Sequence, residues 1–131
     1  MRQLLEKFRT IEQDLSKQKG DFVLFALIEL EEVQNKWDVV VSATWLEEGK
    51  KKDLDFVIKQ IQSKFSNDEM MFLAKVVLLD PSEPFVKNIT SVVSVKGGSL
   101  EIKDSAFNNT FVKHAYVITS QKDSTVSLAQ K

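Results

Sequence analysis

Residues 36–65 read KWDVVVSATWLEEGKKKDLDFVIKQIQSKF, and the change of period inside this stretch decides the fold class. Trp37, Val39, Val41, Ala43 and Trp45 fall on alternate positions, which is the pattern of a strand with one firmly apolar face. Leu54, Val57, Ile58, Ile61 and Phe65 then recur at threes and fours, the pattern of an amphipathic helix. Asp53 stands where an N-cap belongs. A strand over 37–46 leading into a helix over 53–65 is the first half of a β-α-β unit, and such crossovers are right-handed and join parallel neighbours.

Upstream, Leu4, Phe8, Ile11 and Leu15 share one stripe, predicting a helix over 2–18 that Gly20 ends. Residues 22–32, FVLFALIELEE, are apolar on both alternating faces until Glu29, as in a central strand. Asn35 supplies a turn, so 22–32 and 37–46 pair as a hairpin. Downstream, Ser66 and Glu69 have capping-box spacing and predict a short helix over 67–73. KVVLLD predicts a buried strand over 74–79, and DPSEPF restarts a helix with Pro81 or Pro84 in its first turn. The β-branched run after Ile89 predicts a strand over 92–96, with Gly97-Gly98 as the turn of a hairpin. A last strand covers 111–119.

The expectation is therefore one globular α/β domain over 1–120, followed by a polar, frayed tail over 121–131. Its mixed sheet has five to six strands, the order is α-β-β-α-(α)-β-α-β-β-β, and the helices pack on the sheet. Two crossovers are expected, from strand 37–46 to 74–79 and from there to 92–96.

Composition agrees with one core of ordinary size: 131 residues, 43% hydrophobic and 28% charged, enough to bury most of an unfolded chain's apolar surface without metal or disulfide. There is no cysteine, which removes disulfides, thiolate zinc sites and thiol nucleophiles. The longest apolar run, Phe22 to Ile28, is far short of the roughly 20 residues that span a bilayer. The opening MRQLLEKFRTIEQD lacks the apolar stretch of a signal peptide, so a cytoplasmic protein with no membrane contact is expected. A net charge of -1 gives no overall field to attract nucleic acid.

The chemistry-bearing residues cluster near the same stretch. Asp38 followed by Glu48-Gly49-Lys50 has residue types that resemble the PD-(D/E)xK nuclease superfamily. That resemblance implies a magnesium ion held by the two acids and a lysine that positions or activates the attacking water. The chain departs from the pattern: no proline precedes Asp38, and Glu48 and Lys50 sit in the charged loop LEEGKKKD rather than on a strand. No family is assigned on this ground. The ordinary reading of the same residues is a core strand anchored by Trp37 and Trp45, with EEGKKK as its solvated exit.

Topology offers a second argument, because ligands in sheets with parallel strands bind at the strands' carboxyl ends. The two such ends would bring Glu47, Glu48 and Lys50 near Asp80 and Ser82. Candidate catalytic residues are thus Asp38, Glu48 and Lys50, and candidate ligand-binding residues are Glu47, Glu48, Lys50, Asp80 and Ser82. His114 is the only histidine and has no second imidazole with which to bind zinc. No dedicated metal site and no cofactor are expected. The functional expectation is a non-catalytic interaction or accessory domain, self-associating as a homodimer or binding a protein partner. The alternative is a small metal-dependent hydrolase or nuclease-like enzyme, with Mg as cofactor, using Glu47, Glu48 and Lys50 with Asp38 or Asp80.

Overall fold

The hairpin and the first crossover both form. A computed structural model describes residues 1–33 and 35–122, in the order α1 (Arg2–Lys19), β1 (Leu24–Glu29), β2 (Trp37–Ser42), α2 (Lys51–Lys64), α3 (Asn67–Met70), β3 (Leu73–Leu78), α4 (Pro84–Val92), β4 (Leu100–Phe107) and β5 (Thr110–Ser120). The strands build one mixed sheet, β3-β2-β1-β5-β4. β2 and β3 are parallel, as a β-α-β unit requires, and the other three pairings are antiparallel. No described helix is long and apolar enough to cross a membrane.

Alternation along the strands sends side chains to two cores, one on each face of the sheet. Phe25, Leu27, Val39, Val41 and Ile118 pack under α1 and α2, meeting Phe8, Ile11, Leu15, Val57 and Ile61. Leu24, Ala26, Val40, Ala115 and Val117 face the other way and are covered by Val86 and Ile89 of α4. The double-sided apolar pattern of 22–28 is thereby explained for β1; β2, whose alternation predicted one apolar face, also feeds both cores, with Trp37, Val39 and Val41 on one side and Val40 on the other. Phe8 is the joint of the first core: it is fully buried and meets Phe65 edge-on at 4.7 Å and Phe25 at 6.0 Å. Trp45 leaves the sheet beyond β2 but still packs on Phe22 at 5.2 Å, and its indole N–H donates to the carbonyl of Gly20 at 2.8 Å. The end of α1 is tied to the exit of β2 by that one bond.

Several local expectations need correction. The N-cap of α2 is Lys50, not Asp53; Asp53 sits in the first turn and accepts the backbone N–H of Glu47 at 2.8 Å, which closes the loop from inside the helix. Within α2, Val57 and Ile61 are buried, while Leu54 and Ile58 are only half-buried. The helix expected over 67–73 stops at Met70, though its Ser66–Glu69 capping box forms in both directions.

The strand expected over 92–96 does not form, and with it goes the second crossover. β3 is an edge, and the chain passes by α4 across the far face to the opposite edge. What remains of that strand is a single bridge, Val95 to Ser120. Gly98 N–H next donates to Ile118 O, and Leu100 then pairs with Val117, so 95–100 runs onward beside β5 instead of reversing. Gly97-Gly98 is thus an irregularity in an edge, where glycine is needed for another reason: a side chain at Gly98 would come within 2.8 Å of Val95 Cγ2. The true hairpin turn is Asn108-Asn109, both at positive φ (49° and 65°), the requirement of a tight two-residue turn that asparagine tolerates.

Gln121 is held at the end of β5, its backbone N–H donating to Val23 O and its side-chain amide to Phe22 O. The remainder of the expected tail, 123–131, lies outside the described residues.

Candidate functional site

The carboxyl ends of β2 and β3 open into a cleft of about 500 Å³, bordered by Trp45, Glu47, Lys50, Asp53, Asp80 and Ser82. The parallel pairing of β2 with β3 places the two exit loops side by side, and Glu48 joins them, its Oε1 accepting the backbone N–H of Asp80 at 2.7 Å. Glu47, Glu48, Lys50, Asp80 and Ser82 are therefore brought to one end of the sheet.

Their hydrogen bonds show what these groups do there. Asp80 Oδ1 accepts both the hydroxyl of Ser82 at 2.6 Å and its backbone N–H at 2.8 Å. The Ser82 hydroxyl, reinforced by that N–H, holds the Asp80 carboxyl below its ordinary range. Asp53 is engaged by Glu47 N–H and Glu48 by Asp80 N–H. Each of these three acids thus braces the backbone of a loop. Glu47 and Lys50 are exposed and lie 3.9 Å apart, a pair worth little in water. Among the described residues no three His, Asp or Glu side chains are arranged to hold a metal ion.

Asp38 is not part of this cleft. It lies at the other end of β2, opposite Ile28 and beside Lys75, and the strand alone from 38 to 42 spans about 13 Å. The structure does not bring Asp38 together with Glu48 and Lys50. Asp38 is half-buried, and its Oδ1 has no hydrogen-bond partner. Burial pushes its carboxyl above the ordinary value, opposed by the charge and the backbone N–H of Lys75.

A second polar cluster crosses the middle of the sheet at the opposite end. His114 on β5 stands between acids from the two neighbouring strands, with Nε2 at 2.7 Å from Glu101 Oε2 on β4 and Nδ1 at 3.3 Å from Glu29 Oε1 on β1. Tyr116 donates to the same Glu101 oxygen at 3.3 Å, and Trp37 packs against both rings. The hydrogen bond from His114 holds the Glu101 carboxyl low, while burial and then the charge of Glu101 push the Tyr116 phenol up. The two carboxylates contact different nitrogens of one ring, and no set of three acidic or imidazole groups among the described residues is arranged to hold a metal ion. Glu29 and Glu101 escaped the sequence reading because only the order β1-β5-β4 brings them to His114; they are 85 and 13 residues from it along the chain.

No family model matches the chain, and neither curated proteins nor solved structures give a significant match to it.

Proposed function

We propose that this protein is a non-catalytic interaction domain that self-associates, two copies joining through the outer edge of β3. The observation that carries this reading is the contrast between the two edges of the sheet. An open edge offers unpaired N–H and C=O groups to another strand unless charge or irregularity blunts it. β4 is blunted in both ways, with Glu101, Lys103 and Asp104 along it and a positive φ at Asp104. β3 reads LAKVVL. Its one charge, Lys75, is opposed by Asp38 on the adjacent strand, and the exposed Met71 and Phe72 lead directly into it.

Leu79 N–H donates inward to Val41 O, so by alternation the outward-facing N–H groups of β3 are those of Val76 and Leu78. An antiparallel pair centred on Val76 sets Lys75 across from Val77 of the second copy and keeps the two ammoniums from lying directly opposite one another. Sedimentation equilibrium tests this: the wild-type chain is expected to dimerise reversibly, and Val76→Pro, which removes an outward N–H, is expected to be a folded monomer. A wild-type chain that stays monomeric at high concentration overturns the reading.

The metal-dependent hydrolase is the second reading, favoured by the cleft that gathers Glu47, Lys50, Asp80 and Ser82. It ranks lower because Asp53, Asp80 and Glu48 are engaged with backbone N–H groups and Asp38 is remote. Magnesium or manganese titration tests it; a saturable rise in melting temperature that Asp80→Asn abolishes would place it first.

A further inference from the structure

α1 carries a buried acid that neither reading uses. Glu12 is 2% exposed, and its Oε2 accepts hydroxyl protons from Thr119 at 2.8 Å and Ser16 at 3.2 Å. Its other oxygen, Oε1, accepts no hydrogen bond among the described residues and borders an open cavity of about 320 Å³ between α1 and the 96–97 loop. The loop is fixed in place from both sides: Gly97 N–H donates to Thr119 Oγ1 at 3.0 Å, and Arg9 Nε donates to Gly97 O at 3.1 Å. Gly97, at φ 63°, also lacks a side chain that would reach to 3.5 Å from Gln13 Nε2. The absence of that side chain keeps the space beside Oε1 open.

The charges around the cavity select the ligand. Glu12 Oε1 meets the solvent of the cavity rather than being sealed off from it, and a cationic donor there would add a charge-assisted hydrogen bond to a carboxylate already held by two hydroxyls. Asp21 on the rim is taken by Lys96 at 3.4 Å, whereas Lys17, on the same rim, has no ion pair among the described residues. A simple anion is repelled by Glu12. A divalent metal is disfavoured by the ammonium groups on the rim and finds no set of three acidic or imidazole ligands among the described residues. We propose that this cavity binds a small zwitterion, with its ammonium on Glu12 Oε1 and its carboxylate on Lys17. The volume lies at the small end of the roughly 300–1,000 Å³ of ligand pockets, which fits a molecule of amino-acid size.

The test is an amide ¹H–¹⁵N titration of the full chain with glycine, β-alanine and γ-aminobutyrate, which hold the two charges at increasing separation. Ethylamine and acetate serve as the half-ligands. At least one zwitterion is expected to shift the amides of Gly97 and Thr119 saturably, and to bind about tenfold or more tightly than either half-ligand, as expected for a second charge-assisted bond. Glu12→Gln keeps an oxygen for Thr119 and Ser16, so the same spectrum reports its fold. Both it and Lys17→Met are expected to lower the affinity by about tenfold or more. No saturable shift with any of the three zwitterions overturns the proposal. So does affinity unchanged by both variants, or a half-ligand that binds as tightly as the zwitterion.

Discussion

Replacing Asp38 by asparagine should stabilise the protein at neutral pH. The side chain is half-buried on the α4 face of β2 and its Oδ1 accepts nothing, so folding strips part of its hydration without replacement. Asparagine leaves a polar atom in the same place, so what it relieves is only the burial of the charge; partial exposure and the opposing Lys75 charge keep that gain to about 1 kcal/mol or less. Burial raises the folded-state carboxyl above its unfolded value of 3.8, and the sign follows from linkage. The wild-type penalty is fully present above the folded value, shrinks as pH falls through it, and is gone below the unfolded value. Urea denaturation of both chains, at neutral pH and again at about pH 3, is the assay, run dilute enough that self-association does not contribute. The asparagine chain should show the higher midpoint at neutral pH and no advantage in acid. A neutral-pH loss of stability, or an advantage that grows on acidification, would refute the reasoning and point to an ionised Asp38 that the fold needs.

Phe8→Ala removes the side chain on which α1, β1 and α2 meet and should cost about 3–5 kcal/mol in chemical denaturation; a loss below about 1 kcal/mol would mean that this core is not closed as described. Gly98→Ala should destabilise by about 1–3 kcal/mol, because its Cβ would overlap Val95 Cγ2, and should shift the amide resonances of the bridge between Val95 and Ser120. Glu101 titrates below its ordinary value because His114 donates to it. Its contribution to stability is therefore present above the unfolded carboxyl value and is lost as pH falls through the folded one. Carboxyl ¹³C titration should show Glu101 returning toward its ordinary value in His114→Phe, and no change there would contradict the bond.

The sequence made some of these features legible because their signals are local. The alternation from Trp37 to Ala43, the helical spacing of α1 and α2, and the Ser66–Glu69 box each depend on a few consecutive residues, and each appears in the structure. The last third was harder because its decisive choice is not local. Gly97-Gly98 satisfies a tight turn as well as a crowded edge, and only the packing of Val95 against Gly98 distinguishes them, whereas Asn108-Asn109 carried a weaker version of the same turn signal. The β-branched residues after Ile89 suit a strand, yet Val86 and Ile89 are needed to cover Leu24, Ala26 and Val40, and the helix runs on to Val92. Of the polar residues, Glu47, Lys50, Asp80 and Ser82 could be placed together from one parallel crossover. The Glu29–His114–Glu101 cluster and the cavity at Glu12 depend on the full strand order and on a loop whose path the residues alone do not determine.

Cross-linking at Val76 tests the β3 edge most directly, since the chain has no cysteine of its own and a single introduced thiol can react only with a second copy. Residues exchanging both backbone bonds across an antiparallel pair have Cα atoms about 5.5 Å apart, within the range a disulfide spans. Under mild oxidation Val76→Cys should give a disulfide-linked dimer in high yield, while a cysteine placed at Ser105 on the blunted opposite edge should remain monomeric. Equal and slow cross-linking at both edges, or none at Val76, would contradict pairing through β3.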